Sequence, residues 1–212
     1  MTIGKNQYEG LNITSEYGNN VQIYNIDLIS SYVKKSGKII DIGANLGVVS
    51  IAISQVVPYT EFICFELNKD SAEIADFNLT KCNIPHTVYN VALSDLDGDC
   101  GMVFAPNHQN CKLNKNITDI TVKTKRLDSY NFEDVSLIKI DVEGHEVEVL
   151  NGALETIRKN KPTILLEYHQ EANSENIFQI IGDLEYEWIS IEPDSQFFSN
   201  RTNQLLLTPK LQ

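Results

Sequence analysis

Acidic side chains and histidines follow two apolar runs in the second half of the chain. Residues 141–146 have the sequence DVEGHE, and Glu167 and His169 lie at the end of the run PTILLEYH. Carboxylates and imidazoles that meet at strand ends can transfer protons or bind a metal ion. Asp141 is the best placed of them, because it is the first residue after its apolar run. His145 can act as a general base, since an unperturbed imidazole titrates near neutral pH.

Neighbouring strands would bring several of these side chains together. Glu167 and His169 lie two positions apart on a predicted strand, so both point to the same face. With Asp141 they can bind a divalent metal ion through oxygen and nitrogen atoms, or form a histidine base oriented by an acid. A buried structural hydrogen-bond pair is the other interpretation. Similarly, Glu143 can cap the following helix, and His145 can simply face solvent.

A glycine turn follows another apolar run, KIID, in the first quarter of the chain. In an open α/β sheet, such a turn opens a cleft for a ligand that contains a nucleoside. A dinucleotide fingerprint needs glycine where this chain has Asn45 and Val48, so a pyrophosphate is not expected here. The carboxylate of Asp41 beside Gly43 and Gly47 suits a ligand that bears an amine and a sulfonium.

Two further strand ends are expected to meet the same ligand. Glu66 ends an apolar strand, where a carboxylate can accept hydrogen bonds from both hydroxyls of a ribose, and Leu67 follows it. Ala92 and Leu93 can pack against an adenine ring, with Asp95 or a backbone group accepting a hydrogen bond from the exocyclic amine. Ordinary packing at a strand end is an equally good interpretation of this last segment.

The elements that must position these residues alternate between strands and helices. This order indicates an α/β fold with a mostly parallel, doubly wound sheet and helices on both faces, in which ligands bind outside the carboxyl ends of the strands. We expect a single domain, with residues 1–35 as an N-terminal cap and residues 36–212 as the core. The other expected elements are helices over 21–35 and 146–159, a capping box that begins a helix at Asp70, a third strand over 86–93, an edge strand over 121–127, and a closing hairpin over 188–191 and 204–207.

Composition limits the partners of this protein. The chain has 212 residues, of which 29 are acidic and 17 basic, for a net charge of −12. Such a surface repels phosphate backbones, so we expect no nucleic acid substrate. The chain does not open with a signal-peptide pattern, and its apolar runs fall short of the roughly 18 residues of a membrane span. We therefore expect a cytoplasmic protein that does not bind membranes.

Five motifs occur between residues 30 and 170, in the order DIGANLG, FELN, VALSDLDG, IKIDVEGHEVEVLNGA and PTILLEYH. This order resembles the FkbM-type methyltransferases, which are class I S-adenosylmethionine-dependent enzymes. The resemblance implies a Rossmann-like sheet of seven strands with the last strand antiparallel. It also implies that Glu66 holds the ribose and that Asp141 lies beside the methyl group. By the same resemblance, four residues would line the methionine end of S-adenosyl-L-methionine: Asp41, Gly43, Asn45 and Gly47.

The resemblance implies O-methylation of sugar hydroxyls or other small alcohols, so a small-molecule or carbohydrate acceptor is expected. An alcohol is a poor nucleophile until its proton is removed or a metal ion polarises it. The base would be His145 or His169, oriented by Asp141 or Glu167. If a divalent metal ion is used instead, the acids would be its ligands.

Other functions compete with this hypothesis. One is N-methylation of a small molecule or a protein, and another is a module that binds the cofactor without catalysis. A nicotinamide oxidoreductase would need glycine at the positions of Asn45 and Val48. Methylation of adenine or cytosine is also disfavoured, because the Asn/Asp-Pro-Pro-aromatic string of such enzymes is replaced here by DVEG at residues 141–144.

Overall fold

The chain folds into two sheets with helices packed around the larger one. A computed structural model describes residues 26–34, 36–57, 60–104, 111–113, 121–169, 174–191 and 202–210. In chain order its elements are α1 (Ile26–Tyr32), β1 (Lys38–Ile42), α2 (Val48–Ser54), β2 (Glu61–Phe65), α3 (Lys69–Lys81), β3 (His86–Tyr89), β4 (Ala92–Leu93), β5 (Gly98–Phe104), β6 (Cys111–Leu113), β7 (Thr121–Lys125), a 3₁₀ helix (Leu127–Tyr130), β8 (Val135–Ile140), α4 (Glu146–Asn151), α5 (Leu154–Asn160), β9 (Thr163–His169), α6 (Ser174–Asp183), β10 (Tyr186–Ile191) and β11 (Thr202–Pro209).

Seven strands form the main sheet in the order β10-β11-β9-β8-β1-β2-β3. The strands from β9 to β3 pair in parallel, whereas β11 is antiparallel to both of its neighbours, β9 and β10. The predicted doubly wound sheet, its antiparallel last strand and the closing hairpin are therefore confirmed. Because β1, β2 and β8 run in the same direction, the residues that follow them meet at one edge of the sheet.

Alternate residues of the central strands pack into hydrophobic clusters on opposite faces. Ile138 faces the cluster that includes Val149 of α4 and Ile177 of α6. Leu137 faces the other cluster, which includes Ile51 of α2. Helices thus cover both faces, and β8 is buried along its whole length, as expected for a parallel strand in such a layer. No helix among the described residues is long and apolar enough to cross a membrane.

Four further strands form a second sheet in the order β4-β7-β5-β6. The single strand predicted over 86–93 is wrong, because the chain turns at Asn90. The Nδ2 atom of Asn90 donates to the carbonyl oxygens of Glu66 and Leu67, each at 2.9 Å. The predicted edge strand over 121–127 is also wrong in its position, since β7 pairs with β4 on one side and β5 on the other.

The start of α3 differs from the prediction as well. The side chain of Asn68 accepts a hydrogen bond from the backbone N–H of Ser71 at 3.1 Å, which makes Asn68 the N-cap. The capping box predicted at Asp70 therefore lies inside the helix. α1 confirms the C-terminal part of the helix predicted over 21–35, and residues 1–25 of the predicted cap lie outside the described residues.

The helix predicted over 146–159 is two helices, α4 and α5. Gly152 separates them, and a Cβ atom at this position would lie 1.9 Å from the carbonyl oxygen of Ser94. The carbonyl oxygen of Gly152 accepts a hydrogen bond from the backbone N–H of Asp128 at 3.0 Å. The break therefore lets the segment after β4 pass against the helix backbone, close to the carboxyl ends of the strands.

Candidate functional site

A cleft opens at the carboxyl ends of β1, β2 and β8, as the topology predicts. Its lining residues come from four strand ends and are Ile42, Gly43, Asn45, Phe65, Glu66, Leu67, Val91, Ala92, Leu93, Asp141, Val142, Glu143 and His145. Most of the residues predicted from the sequence are among them. Four are not: Asp41, Gly47, Glu167 and His169 lie beneath or behind the cleft wall.

Glu66 is held in place by two backbone groups. Its Oε2 atom accepts a hydrogen bond from the N–H of Asn45 at 2.8 Å, and its Oε1 atom accepts one from the N–H of Asn68 at 2.7 Å. Burial raises the pKa of this carboxyl group, although both hydrogen bonds oppose the rise. Each carboxylate oxygen can accept more than one hydrogen bond. Glu66 can therefore accept two further hydrogen bonds from a ligand in the cleft.

The glycine turn brings the ends of β1 and β8 together. Gly43 has a φ of 72°, and a Cβ atom at this position would lie 1.9 Å from the carbonyl oxygen of Asp141. Asn45 also has a positive φ, 47°, a conformation that asparagine tolerates better than most residues. Gly47 packs against Ala75 of α3 rather than facing the cleft. The main reason for a glycine at position 43 is thus the close contact between the ends of β1 and β8.

Asp41 lies below the cleft floor, with 1% of its surface exposed. It accepts a hydrogen bond from Ser50 Oγ at 2.6 Å, and its Oδ1 atom lies 3.1 Å from Nζ of Lys139. The structure therefore places Asp41 in a buried network and not on the wall that the resemblance implied. Asp41 is paired in register with Lys139 on the adjacent strand, so the two side chains leave the same face of the sheet.

Lys139 links this network to the cleft. Its ammonium group donates to the carbonyl oxygen of Gly43 at 2.7 Å and lies 3.6 Å from Oδ2 of Asp141. Burial alone would lower the pKa of Lys139, but the nearby carboxylates of Asp41 and Asp141 outweigh this and raise it. A buried, permanently charged lysine therefore lies between the glycine turn and the acidic residue that ends β8. No role was predicted for this lysine from the sequence.

His145 lies at the side of the cleft formed by residues 92–94. Its Nε2 atom is 2.9 Å from Ser94 Oγ, and its Nδ1 atom is 3.5 Å from Oε2 of Glu148. The Ser94 hydroxyl also donates to Asp95 at 3.1 Å, so in that arrangement Nε2 of His145 is the donor to Ser94. Both ring nitrogens thus face oxygen atoms of the protein, and Ser94 is a buried residue behind the cleft lining.

His169 lies between two carboxylates at the end of β9. Its Nδ1 atom is 2.8 Å from Oε1 of Glu146, and its Nε2 atom is 3.4 Å from Oε2 of Glu143. Burial would lower the pKa of His169, but these carboxylates and Asp141 outweigh it and raise the pKa to about 9. The ring is therefore protonated at neutral pH. Its orienting acid is Glu146, and not Asp141 or Glu167 as the sequence predicted.

The predicted meeting of Asp141, Glu167 and His169 is confirmed. One donor atom from each residue can be chosen so that all three lie within 4.8 Å of one another. Glu167 is fully buried and accepts a hydrogen bond from Nε2 of Gln204 at 3.0 Å. Burial raises the pKa of Asp141, against the opposing effect of Lys139. Among these three residues only Asp141 lines the cleft.

Glu143 lies two residues ahead of the N-cap position of α4, which His145 occupies. The carboxylate of Glu143 faces His169. Glu143 has a φ of 55° and precedes Gly144 at 99°, so the turn after β8 takes a conformation that is costly for a glutamate. The turn is closed by a hydrogen bond from the N–H of Gly144 to Oε1 of Glu146 at 3.0 Å.

Comparison with known proteins relates this architecture to methyltransferases. A family model described as the methyltransferase FkbM domain matches residues 41–197. A crystal structure of methyltransferase FkbM from Methylobacillus flagellatus KT matches with a TM-score of 0.58 and 15% identity, covering 81% of this chain and 44% of that one. This chain therefore spans less than half of that protein. No curated protein matches the sequence significantly.

Two other solved structures show the same fold at low identity. The precorrin-6y C5,15-methyltransferase from Geobacter metallireducens GS-15 matches with a TM-score of 0.55 and 16% identity, covering 88% of this chain and 87% of that one. The M. capricolum TrmK structure, a complex with S-adenosyl-homocysteine, matches with a TM-score of 0.50 and 10% identity, covering 89% and 68%. At these identities the likeness concerns the fold alone.

Proposed function

Because the chain belongs to the FkbM methyltransferase family, and is thus an S-adenosylmethionine-dependent methyltransferase, we propose that it methylates a hydroxyl group of a small molecule or glycan. The observation that supports a hydroxyl acceptor is the position of Asp141. Its carboxylate lines the cleft, and burial raises its pKa. An alcohol needs such a base, because its proton must be removed as the new bond forms.

The described cleft fits S-adenosyl-L-methionine. The carboxylate of Glu66 is fixed by two backbone N–H groups and retains acceptor capacity for the two ribose hydroxyls. Ala92, Leu93, Gly43 and Asn45 line the same cleft. Ala92 and Leu93 would offer apolar surface to the adenine ring, and the turn of Gly43 and Asn45 would lie beside the methionine end. When bound, this cofactor supplies a methyl group whose bond to sulfur breaks as a bond to the acceptor oxygen forms.

The cofactor and the acceptor would then lie over the carboxyl ends of different strands. The residues after β1, β2 and β3 would hold the cofactor, so the acceptor would lie toward β8 and β9. Asp141 and Glu143 line the cleft and lie close to His169, the last residue of β9, and we call this part the acceptor end. Nε2 of His145 instead contacts Ser94, which follows β4 on the side of the cleft that we assign to the cofactor. We therefore assign the role of base to Asp141 and not to His145.

His169 is a poor candidate for the base. Its two ring nitrogens face Glu146 and Glu143, and its raised pKa of about 9 leaves it protonated at neutral pH. A protonated imidazole has no lone pair with which to accept a proton. We propose that His169 holds Glu143 at the acceptor end, that Glu167 supports this arrangement from beneath, and that Asp141 takes the proton of the acceptor hydroxyl.

A divalent metal ion is the alternative activator. The observation that favours it is the mixed donor set of Asp141, Glu167 and His169 within 4.8 Å, with Nδ1 of His169 bound by Glu146 as in many metal-ligating histidines. Electron paramagnetic resonance of added Mn²⁺ tests this proposal directly. Tight binding that is lost in His169→Gln supports the metal, and no binding in the wild type contradicts it.

The proposed function is tested with ¹³C-methyl-labelled cofactor and a panel of sugars, polyols, phenols and amines. We expect products whose labelled methyl carbon gives the NMR resonance of a methyl ether, and a loss of about 10²–10⁴-fold in kcat for Asp141→Asn. Asp183→Asn, at the exposed end of α6, is the matched control. Products that carry only N-methyl groups, or unchanged turnover in Asp141→Asn, would contradict the proposal.

A further inference from the structure

The acceptor end contains more acidic than basic groups. Five carboxyl groups lie in it or directly behind it, and only two cationic side chains accompany them among the described residues. The carboxyl groups are those of Asp41, Asp141, Glu143, Glu146 and Glu167, and the cations are Lys139 and His169. Because most of these groups are buried, solvent screens their charges less than it would at the surface.

Both cations are already bound to carboxylates. Lys139 contacts Asp41 and Asp141 and donates to the carbonyl oxygen of Gly43. His169 lies between Glu146 and Glu143. In the part of the chain that the structure describes, no lysine or arginine lines the cleft. A carboxylate or phosphate on the acceptor would therefore approach Asp141 and Glu143 without a lysine or arginine of the described cleft wall to bind it.

Glu143 is the acidic residue whose position needs a special explanation. Its φ of 55° is unfavourable for a glutamate, and such strain persists where the surrounding structure enforces it, commonly at functional sites. The turn directs its carboxylate toward His169 while the residue still lines the cleft. A neutral side chain in this turn would keep the cleft shape but would remove one negative charge from the acceptor end.

We infer that the acceptor carries no negative charge near the reacting hydroxyl, and that Glu143 is the residue that excludes acidic acceptors. The substrate class is thus a neutral or amino-substituted hydroxyl compound, such as an unmodified or amino sugar, and not a uronate or a sugar phosphate. Like charges brought together in a partly desolvated site oppose binding strongly, which gives discrimination between partners of the same shape. This inference rests on the proposed transfer to a hydroxyl.

A matched acceptor series tests it. Methyl glycosides of several hexoses are assayed beside their 2-amino, 6-carboxylate and 6-phosphate counterparts. We expect kcat/KM for the neutral and amino compounds to exceed that for the acidic ones by about 100-fold or more, and Glu143→Gln to reduce this ratio at least tenfold. Glu155→Gln, exposed on α5, is the control with the same charge change.

A second measurement needs no acceptor. S-adenosylmethionine has one more positive charge than S-adenosylhomocysteine, so a negative acceptor end should favour the former. In Glu143→Gln we expect the preference for S-adenosylmethionine to weaken, so that its Kd rises relative to the Kd of S-adenosylhomocysteine. In Glu155→Gln we expect the ratio of the two Kd values to stay unchanged. An unchanged ratio in Glu143→Gln, or equal methylation of neutral and acidic glycosides, would overturn the inference. Failure of every glycoside and alcohol to react would instead overturn the proposed function, and this inference with it.

Discussion

The ammonium group of Lys139 donates a hydrogen bond to the carbonyl oxygen of Gly43 at 2.7 Å. This contact joins the glycine turn after β1 to a strand that is 96 residues away in sequence. The same ammonium group compensates Asp41 at 3.1 Å and lies near Asp141 at 3.6 Å. Lys139 therefore fixes the position of the glycine turn, which would hold the cofactor, relative to Asp141, the proposed base.

Replacing Lys139 by methionine should destabilise the fold severely. The variant keeps a long unbranched side chain but leaves the buried carboxylate of Asp41 without its cation, which typically costs about 3–5 kcal/mol. Urea unfolding measures the change in the free energy of unfolding. Lys123→Met, which breaks an exposed pair with Asp99, is the control and should cost less than about 1 kcal/mol. A Lys139 variant as stable as the Lys123 variant would contradict this account.

Alanine at Gly43 should separate the ends of β1 and β8. Its Cβ atom would lie 1.9 Å from the carbonyl oxygen of Asp141, and the φ of 72° is itself strained for alanine. We expect a loss of stability of more than about 2 kcal/mol, or failure to fold. Gly182, in α6, has open space where a Cβ atom would lie. Gly182→Ala should therefore raise the free energy of unfolding by up to about 1 kcal/mol. If both variants were stabilised, or both destabilised, the argument would be refuted.

The sheet and most of the cleft could be predicted from the sequence, because both depend on local signals. Apolar runs that end in an acid or a glycine mark the carboxyl ends of parallel strands, and topology brings those ends to one edge. Glu66 and Asp141 were identified in this way, and both line the cleft. Asp41 directly precedes Ile42 and Gly43, which line the cleft. Asp41 itself is buried beneath them.

The contacts of Lys139 and Glu146 could not be predicted from the sequence, since they depend on strand register and on the angle of a turn. A signal was nevertheless present for Lys139, because a lysine inside an apolar strand that is covered on both faces must find a carboxylate partner. Asp41 is the corresponding acid in β1. For Glu146 the signal was weaker, since a glutamate in the first turn of a helix is favoured by the helix dipole alone.

Glutamine at Glu66 should weaken cofactor binding without unfolding the protein. An amide group would place an N–H donor against the backbone N–H of Asn45 or Asn68, both of which donate to the carboxylate. It would also remove one acceptor for the ribose hydroxyls. Isothermal titration calorimetry should show a Kd for S-adenosylhomocysteine that is about 10–100-fold higher.

The control for this prediction is Glu73→Gln. Glu73 lies on the exposed face of α3, where it pairs with Lys69 at 3.6 Å, and its replacement should leave the Kd unchanged. If Glu66→Gln binds S-adenosylhomocysteine as tightly as the wild type does, Glu66 does not hold the ribose.

His169 should make the stability of the protein depend on pH in the neutral to alkaline range. The pKa is raised from an ordinary value of 6.5 to about 9, because Glu146, Glu143 and Asp141 favour the protonated ring more than burial disfavours it. The folded state thus holds a proton that the unfolded state releases above pH 6.5. The stabilisation is fully present below pH 6.5 and is lost as the pH rises through about 9.

Urea unfolding at about pH 6, 7.5 and 9.5 measures this loss. We expect the wild type to lose on the order of 1–3 kcal/mol over the range, beyond what His169→Gln loses, because only the wild type can release this proton. His86→Gln is the matched control, since His86 starts β3, the edge strand that lies four strands from β9, and pairs with the exposed Asp76. A His169 variant with the same pH dependence as the wild type would show that the ring is not held as an imidazolium between Glu143 and Glu146.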